Sequence, residues 1–567
     1  MRPPTLWDRE LGVKPQINLD DALFGPDVVE RLDHYKTMSG HGGCVNTLKW
    51  NGDGSLLVSG SDDTNVKLWN VEGECRSTYE TTHAGNIFGV IFVPGMNDGY
   101  IMSCAADANI ILTNTETKQE VSKWSSRGRL KRLASTPLVP FIGWSICEDR
   151  FVRMHDARDS DVNVKFKIQQ TGKSIDASEL KPYWLAVASE MTAVTMYDTR
   201  NTRDPFMVLG PIDMRPKDPY YVTHVAFSKK SNTLLANFGR GSTYLFDLDD
   251  ASQDSAFCKD LDEVLQCDTI ECTPSPDPPP LSSSVENTIE HAQNFLADLK
   301  YVDAFAAVNG ALGRRDLTVA DRAYLLLKRS TIFVARKREG DSFAAARDTL
   351  AASRLLPSDP QPLLRCISVL QKMEQLEICQ EMIGLFKKRF PDNLDDVKDM
   401  ESLISSTVRS RRSFELRRNA QLKRDALQRY TGHSNDNTDI KEAGFFGPNE
   451  EYVLAGSDSG HIFVYDRQTA DIAVLLKGDS QIVNSVQAHP TLPLIAASGL
   501  DEDAHLFAPY NAGQLPRTPE ASGRMTYAQA EPMLARMRTR ELARELVYLN
   551  RLGMLTGGEG QERCLVS

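Results

Sequence analysis

Long apolar runs are missing from this 567-residue sequence: no stretch approaches the ~18 apolar residues that span a bilayer. The opening Met1-Arg2-Pro3-Pro4 lacks the apolar core of a secretory leader, so an intracellular protein is expected. Cysteine is sparse, with ten scattered residues, which excludes a disulfide framework and predicts reduced thiols. Cys258, Cys267 and Cys272 lie close together but without Cys-x-x-Cys or paired-histidine spacing, so no structural zinc is expected there. Catalytic signatures are absent too: no Gly-x-Ser-x-Gly, no phosphate-cradling glycine loop ending in Lys-Ser/Thr, no His-Glu-x-x-His. The expectation is a non-enzymatic chain with no cofactor and no metal. A formal net charge of -12 argues against direct nucleic-acid binding and favours basic partners.

What is present is repetition. Gly40-His41 opens a segment that runs through Val45, Leu48 and Trp50, then Ser59-Gly60-Ser61-Asp62-Asp63, and closes at Leu68-Trp69-Asn70. This is the WD-repeat signature, with Asn70 for the usual Asp. Period-two apolar runs make strands, and His41, Ser59, Asp63 and Trp69 are placed to join in one buried hydrogen-bonded set. Such a blade needs neighbours in a ring. They recur about every 40 residues: His83 to Asn114, Leu130 to Arg158, Leu185 to Arg200, and Val222 to Asp247. After Asp250 the pattern stops at a proline-rich stretch, Thr273 to Pro280, and helical periodicity takes over. Pro357 and Pro391 close similar helix ends 34 residues apart, the tetratricopeptide period. WD patterning resumes at Gly432-His433 and runs to Phe507.

The fold expected is therefore mainly β: a seven-bladed WD-repeat β-propeller with an α-helical tetratricopeptide-repeat domain inserted between its fifth and sixth blades. The expected boundaries are an N-terminal segment 1–37, blades one to five in 38–254, a proline-rich linker 255–284, the helical insertion 285–430, blades six and seven in 431–510, and a C-terminal helix and tail 511–567.

The repeat-periodic His41, His83 and His433 suit buried structural networks better than a single site. Asp156-Ala157-Arg158 and Asp198-Thr199-Arg200 end consecutive blades at the same place. A guanidinium offers five donors in a rigid fork, so each Arg either grips a partner or pairs within its own blade. A basic run from Arg409 to Arg429, interspersed with Glu415 and Asp425, suits a solvated helix face rather than nucleic-acid binding. The C-terminal Cys564-Leu565-Val566-Ser567 has the form of a prenylation signal, which is the one route to a membrane this sequence offers.

The order of WD blades, helical insertion and further blades, with "SGHGGCVNTLKWNGDGSLLVSGSDD", "MHDARD", "YDTR" and "TDIKEAGFFGPNEEYVLAGSDSGHIFVYD", resembles the adipose-type family of WD and tetratricopeptide repeats proteins over about residues 20 to 515. The resemblance implies a substrate receptor of a cullin-RING ubiquitin ligase in cytoplasm and nucleus, docked on the adaptor known as damaged-DNA-binding protein and through it on cullin. The protein substrate is not named by the sequence. A chromatin co-regulator that binds histones or repressor subunits, with a link to fat storage, is the alternative. In that wider family a Trp-Asp-x-Arg ending carries the adaptor contact, which maps to Asp156, Arg158, Asp198 and Arg200, with His155 and Tyr197 in the tryptophan's place. Family receptors also set a helix before the first blade against the adaptor. Val28, Val29 and Leu32 share a helical face there, and serve either that contact or a lid packed on the propeller.

Overall fold

Short apolar runs broken by Gly and Asp turns, such as Leu56–Ser61 and Asn65–Asn70, pair as antiparallel strands. The computed structural model describes residues 24–159, 162–211, 220–249, 261, 264–265, 281–298, 301–312, 314, 317–336, 341–373, 375–393, 397–398, 401 and 426–510. Seven four-stranded sheets occur among them. The first four are contiguous in sequence: strands from Val45–Trp50 to Cys75–Glu80, Ile87–Phe92 to Glu120–Ser125, Leu130–Ala134 to Val162–Lys167, and Gly172–Ala177 to Met207–Leu209. The first strand of each sheet touches that of the next, and the seventh touches the first. The sheets therefore close into the seven-bladed propeller that the repeats predict. Its cores lie between blades, as where Ile91, Met102 and Leu112 of the second meet Leu130 and Leu133 of the third.

The ring is sealed by a strand that precedes the first blade. Leu32–Met38 pairs antiparallel with Ala504–Pro509 and supplies the outer strand of the seventh blade, so a boundary at 37 cuts through a strand. The helix before it, α1, is one turn, Pro26–Val29. Leu32 lies beyond it and starts the strand. Val29 and Leu32 are 1% and 0% exposed in a core with Phe446, Leu454 and Phe507, while Val28 is half-buried. This segment is packed on the propeller. Withdrawing either buried side chain toward a partner would cost about 1.5–3 kcal/mol.

The insertion point also differs from expectation. Gln428–Tyr430 pairs with Thr243–Leu245 as the fourth strand of the fifth blade. The helical unit thus enters within blade five, between its third and fourth strands, rather than between blades five and six. A three-residue strand in which only Tyr430 is buried has too little pattern to be read.

The insertion holds α2 (Ser283–Ala297), α3 (Tyr301–Leu312), α4 (Val319–Arg336), α5 (Asp341–Leu355), α6 (Pro360–Lys372) and α7 (Leu376–Arg389), each packed on the next. Pro357 and Pro391 follow α5 and α7. Asp359 caps α6 by accepting from the Gln361 amide, with Pro360 at the first helical position. Thr331 and Arg365, 34 residues apart, touch at 2.8 Å, as repeated positions in stacked units should. Leu261 and Val264 from the expected linker are buried in this helical core, against Leu350 and Phe386 among others. Arg336 joins the unit to the propeller, pairing with Asp341 at 2.8 Å and with Asp471 of the sixth blade's outer turn at 2.9 Å. Arg429 lies over the rings of Phe343 and Tyr244 at 4.7 and 5.2 Å.

Candidate functional site

Strands of a blade alternate in direction, so the ends of all third strands lie on one rim of the ring. At the end of Phe151–Asp156 the chain turns, and the Asp156 carboxylate accepts from the Arg158 amide at 3.0 Å, its Nε at 2.9 Å and its Nη2 at 2.7 Å. The guanidinium lies 4.5 Å above the Phe141 ring. The next blade repeats the arrangement. Asp198 accepts from the Arg200 amide, Nε and Nη2 at 2.9, 3.0 and 2.6 Å, and the guanidinium lies 4.4 Å above Tyr183. The residue between acid and base locks each aromatic in place: Ala157 donates its amide to the Phe141 carbonyl at 2.9 Å, and Thr199 to that of Tyr183 at 2.8 Å. Phe141 is held at φ +69°, an unfavourable left-handed conformation for an aromatic residue.

Both arginines therefore pair within their own blades, yet their side chains stay 59% and 64% exposed. The two readings of the Asp-x-Arg endings are thus not exclusive: the pairing aims the fork, and its outer edge faces solvent. The hydrogen bonds from Arg158 and Arg200 hold the Asp156 and Asp198 carboxyls below the usual carboxylate range. At the same turn position, blades one, two, five and six carry Glu72, Glu116, Asp249 and Gln468. Of the six blades compared at this turn position, three and four carry the arginines. Those two blades also expose Leu138, Leu180, Tyr183 and Phe206, each 40–47% accessible. Arginine beside exposed aromatic and aliphatic side chains is the composition of protein interfaces. Sequence reasoning missed the two aromatics, although each lies 17 residues before its arginine.

His155 and Tyr197, in the tryptophan's position, are buried and face away from the rim. The His155 ring shares a hydrogen bond with Ser145 Oγ at 2.9 Å, and Tyr197 packs on Phe166 with ring centroids 4.4 Å apart. Neither enters the exposed patch.

The blade-one residues form a chain of contacts. His41 Nδ1 meets Asp63 at 2.9 Å, His41 Nε2 meets Ser59 Oγ at 2.7 Å, and Trp69 Nε1 donates to Ser59 Oγ at 2.8 Å. Burial drives the His41 pKa down, against the pull of Asp63. His83 repeats the scheme with Asp107 and Ser103, both near 3 Å. His433 instead bridges blades, contacting Tyr465 Oη at 2.9 Å and Thr243 Oγ1 at 3.2 Å. No group of three or more His, Cys, Asp or Glu side chains is placed to hold a metal among the described residues. Cys564, the cysteines at 258, 267 and 272, the C-terminal helix and the basic run before Gln428 lie outside the described residues.

The WD domain, G-beta repeat family matches residues 33–70 and 424–466. Along the chain, WD and tetratricopeptide repeats protein 1 of Homo sapiens is 26% identical, covering 85% of this chain and 85% of that protein. Protein ALTERED SEED GERMINATION 2 of Arabidopsis thaliana is 24% identical over 87% of this chain and 89% of its own length. DDB1- and CUL4-associated factor 6 of Homo sapiens is 29% identical over 43% of this chain and 32% of that protein. The chain is a WD-repeat propeller protein, similar along most of its length to the WD and tetratricopeptide repeats proteins.

Proposed function

We propose that the chain is a substrate receptor of a cullin-RING ubiquitin ligase, docking on the ligase's propeller adaptor through the rim of blades three and four. The observation that carries this is the doubled constellation of Asp156, Arg158 and Phe141 with Asp198, Arg200 and Tyr183, against acidic or neutral residues at the same turn of other blades. The name of one relative couples it to DDB1 and CUL4, the adaptor and cullin this reading requires. Preformed, stacked arginines lose little freedom on binding, and the flanking Leu138, Leu180 and Phe206 supply apolar area.

The work of the protein in this reading is proximity: the adaptor sits on one rim, a protein substrate is held elsewhere, and other subunits transfer ubiquitin. The helical unit leaves blade five at the end of its third strand, on the same rim as Arg158 and Arg200, and in this reading it lies on the adaptor's side.

The test is an affinity pull-down of the wild-type chain and of the Arg158→Ala/Arg200→Ala variant, probed for adaptor and cullin, with thermal unfolding as a control. Adaptor recovered with wild type and lost with the folded variant supports the receptor. Adaptor absent from both sinks it and turns attention to histones or repressor subunits as partners of an acidic propeller. Adaptor retained by the variant removes this rim from the docking site.

A further inference from the structure

Residues 431–442 lead from the last strand of blade five to the first strand of blade six, and they bridge the centre of the ring. First strands line that centre, and this segment reaches them on four other turns of the ring: Lys131 and Arg132 of blade three, Lys173 of blade four, Thr223 of blade five, and Asn484 to Gln487 of blade seven. Two of its residues are anchors. The fully buried Glu442 pairs with Arg132 at 2.7 Å and accepts from Ser485 Oγ, the Val486 amide and Gln487 Nε2 at 2.8, 3.0 and 2.8 Å. Lys441 pairs with Asp458, and its carbonyl accepts from Thr223 Oγ1 and Asn237 Nδ2 at 3.3 and 3.2 Å.

Asp439 is held differently. Its side chain is 33% exposed, and a single oxygen, Oδ2, is shared by Lys173 Nζ at 2.8 Å and Lys131 Nζ at 3.3 Å. Those lysines are only 10% and 5% exposed. Glu190 and Glu148 hold the same ammoniums at 3.0 and 3.3 Å, and the rings of Tyr221 and Phe88 lie beneath them at 5.5 and 5.2 Å. The lysines are thus fixed by carboxylates of their own blades and by rings of the neighbouring blades, and Asp439 arrives from another part of the chain.

We propose that Lys131 and Lys173 form a carboxylate-binding subsite for an acidic peptide segment of a partner, and that Asp439 is a built-in occupant which the partner's side chain displaces. Two ammoniums converging on one oxygen make a preorganised receptor for a carboxylate. Emptying it costs little repulsion, because Glu148 and Glu190 balance the two lysines. Lys441 and Glu442 keep the segment in place when Asp439 swings out. A tethered competitor acts at an effective concentration in the millimolar range, so isolated acidic residues are excluded and a run of them is selected. The starts of the first strands lie on the rim opposite Arg158 and Arg200. As a substrate entrance the subsite rests on the receptor reading; as a binding site it does not.

The test uses the purified full chain without adaptor, titrated against fluorescein-labelled octaglutamate and read by anisotropy. Asp439→Asn is expected to tighten binding about tenfold or more by removing the competitor, and adding Lys173→Gln to that variant should return binding to background. Thermal unfolding checks each variant. Equal binding by wild type and a folded Asp439→Asn protein overturns the proposal, as does binding that survives Lys173→Gln; the cradle is then a structural ion-pair network. Failure of the receptor reading would appear only in the adaptor pull-down and leave these titrations unchanged.

Discussion

Thr243 and Tyr430 are paired across neighbouring strands of the fifth blade, although the whole helical unit lies between them in sequence. The backbone amide of Leu427 also donates to the Leu245 carbonyl at 2.7 Å, so the insertion starts and ends at nearly the same point. We predict that replacing residues 250–426 by a short Gly/Ser linker leaves a folded propeller, because loop closure between adjacent strands is entropically easy. Circular dichroism should lose its helical component while a cooperative β-sheet transition remains. A chain that aggregates or loses that transition would show that the helical unit is needed to complete blade five.

The first blade was legible because its network is written in residue types: a histidine, a serine, an aspartate and a tryptophan at repeat spacing. Two outer strands, of the seventh and the fifth blade, were not, for physical reasons. Leu32–Met38 has the burial order of an irregular edge strand, with Tyr35 and Lys36 exposed together, and a register shift between His34 and Lys36 erases period two. Gln428–Tyr430 has no room for a period at all. The arginines of the rim were visible, but the aromatics under them belong to the preceding hairpin, and only the fold brings the two loops together.

The stacking suggests that Phe141 and Tyr183 aim the arginines rather than merely sit beneath them. We predict that Tyr183→Ala, with Arg200 intact, weakens adaptor binding about two- to fivefold through the lost cation–π contact, and more if the ring itself touches the partner. The melting temperature should not move. Undiminished binding by Tyr183→Ala would mean that Asp198 alone positions the guanidinium.

Ser59 is the hub of its blade, accepting from Trp69 Nε1 while contacting His41 Nε2, at 0% exposure. Ser59→Ala leaves both ring nitrogens buried without that partner, and we predict a loss of about 2–4 kcal/mol. Urea unfolding followed by tryptophan fluorescence measures it. A loss below 0.5 kcal/mol, on the order of an ordinary surface substitution, would show that the network contributes no more than packing.

Glu442 and Arg132 lie buried at the centre of the ring. Burial is the largest influence and opposes ionisation of Glu442, but Arg132 and the hydrogen bonds from Gln487 and Ser485 together outweigh it and keep the carboxyl below its usual range. Glu442→Gln strands the Arg132 charge in the interior, so we predict destabilisation of about 3–5 kcal/mol, with partial rescue when Arg132 is replaced by Met in the same chain. Additive losses in the double variant would refute the coupling.

The buried histidines set the acid limit of the fold. Burial is the main cause, and it pushes His155 and His224 down to about 3 and His433 and His461 to about 4, with Arg153, Lys441 and Lys477 adding repulsion at His155, His433 and His461. Their unfolded values lie near 6.5, so the unfolded chain binds more protons than the folded one between about pH 6.5 and 4. Stability from these groups is complete above pH 6.5 and is lost as pH falls toward 4, at up to about 1.4 kcal/mol per pH unit for each histidine. The depressed carboxyls of Asp63, Asp107 and Asp149 act in the same direction but chiefly below about pH 4; the Asp176 carboxyl, raised by burial, acts in the opposite direction, so the histidines, by number, decide the sign between about pH 6.5 and 5. We predict a falling melting temperature across that interval, and a shallower fall for His461→Asn, whose side-chain amide can replace the Nδ1–H donated to the Ser459 carbonyl at 2.8 Å. An unchanged slope in that variant would mean that His461 is protonated in the folded ring.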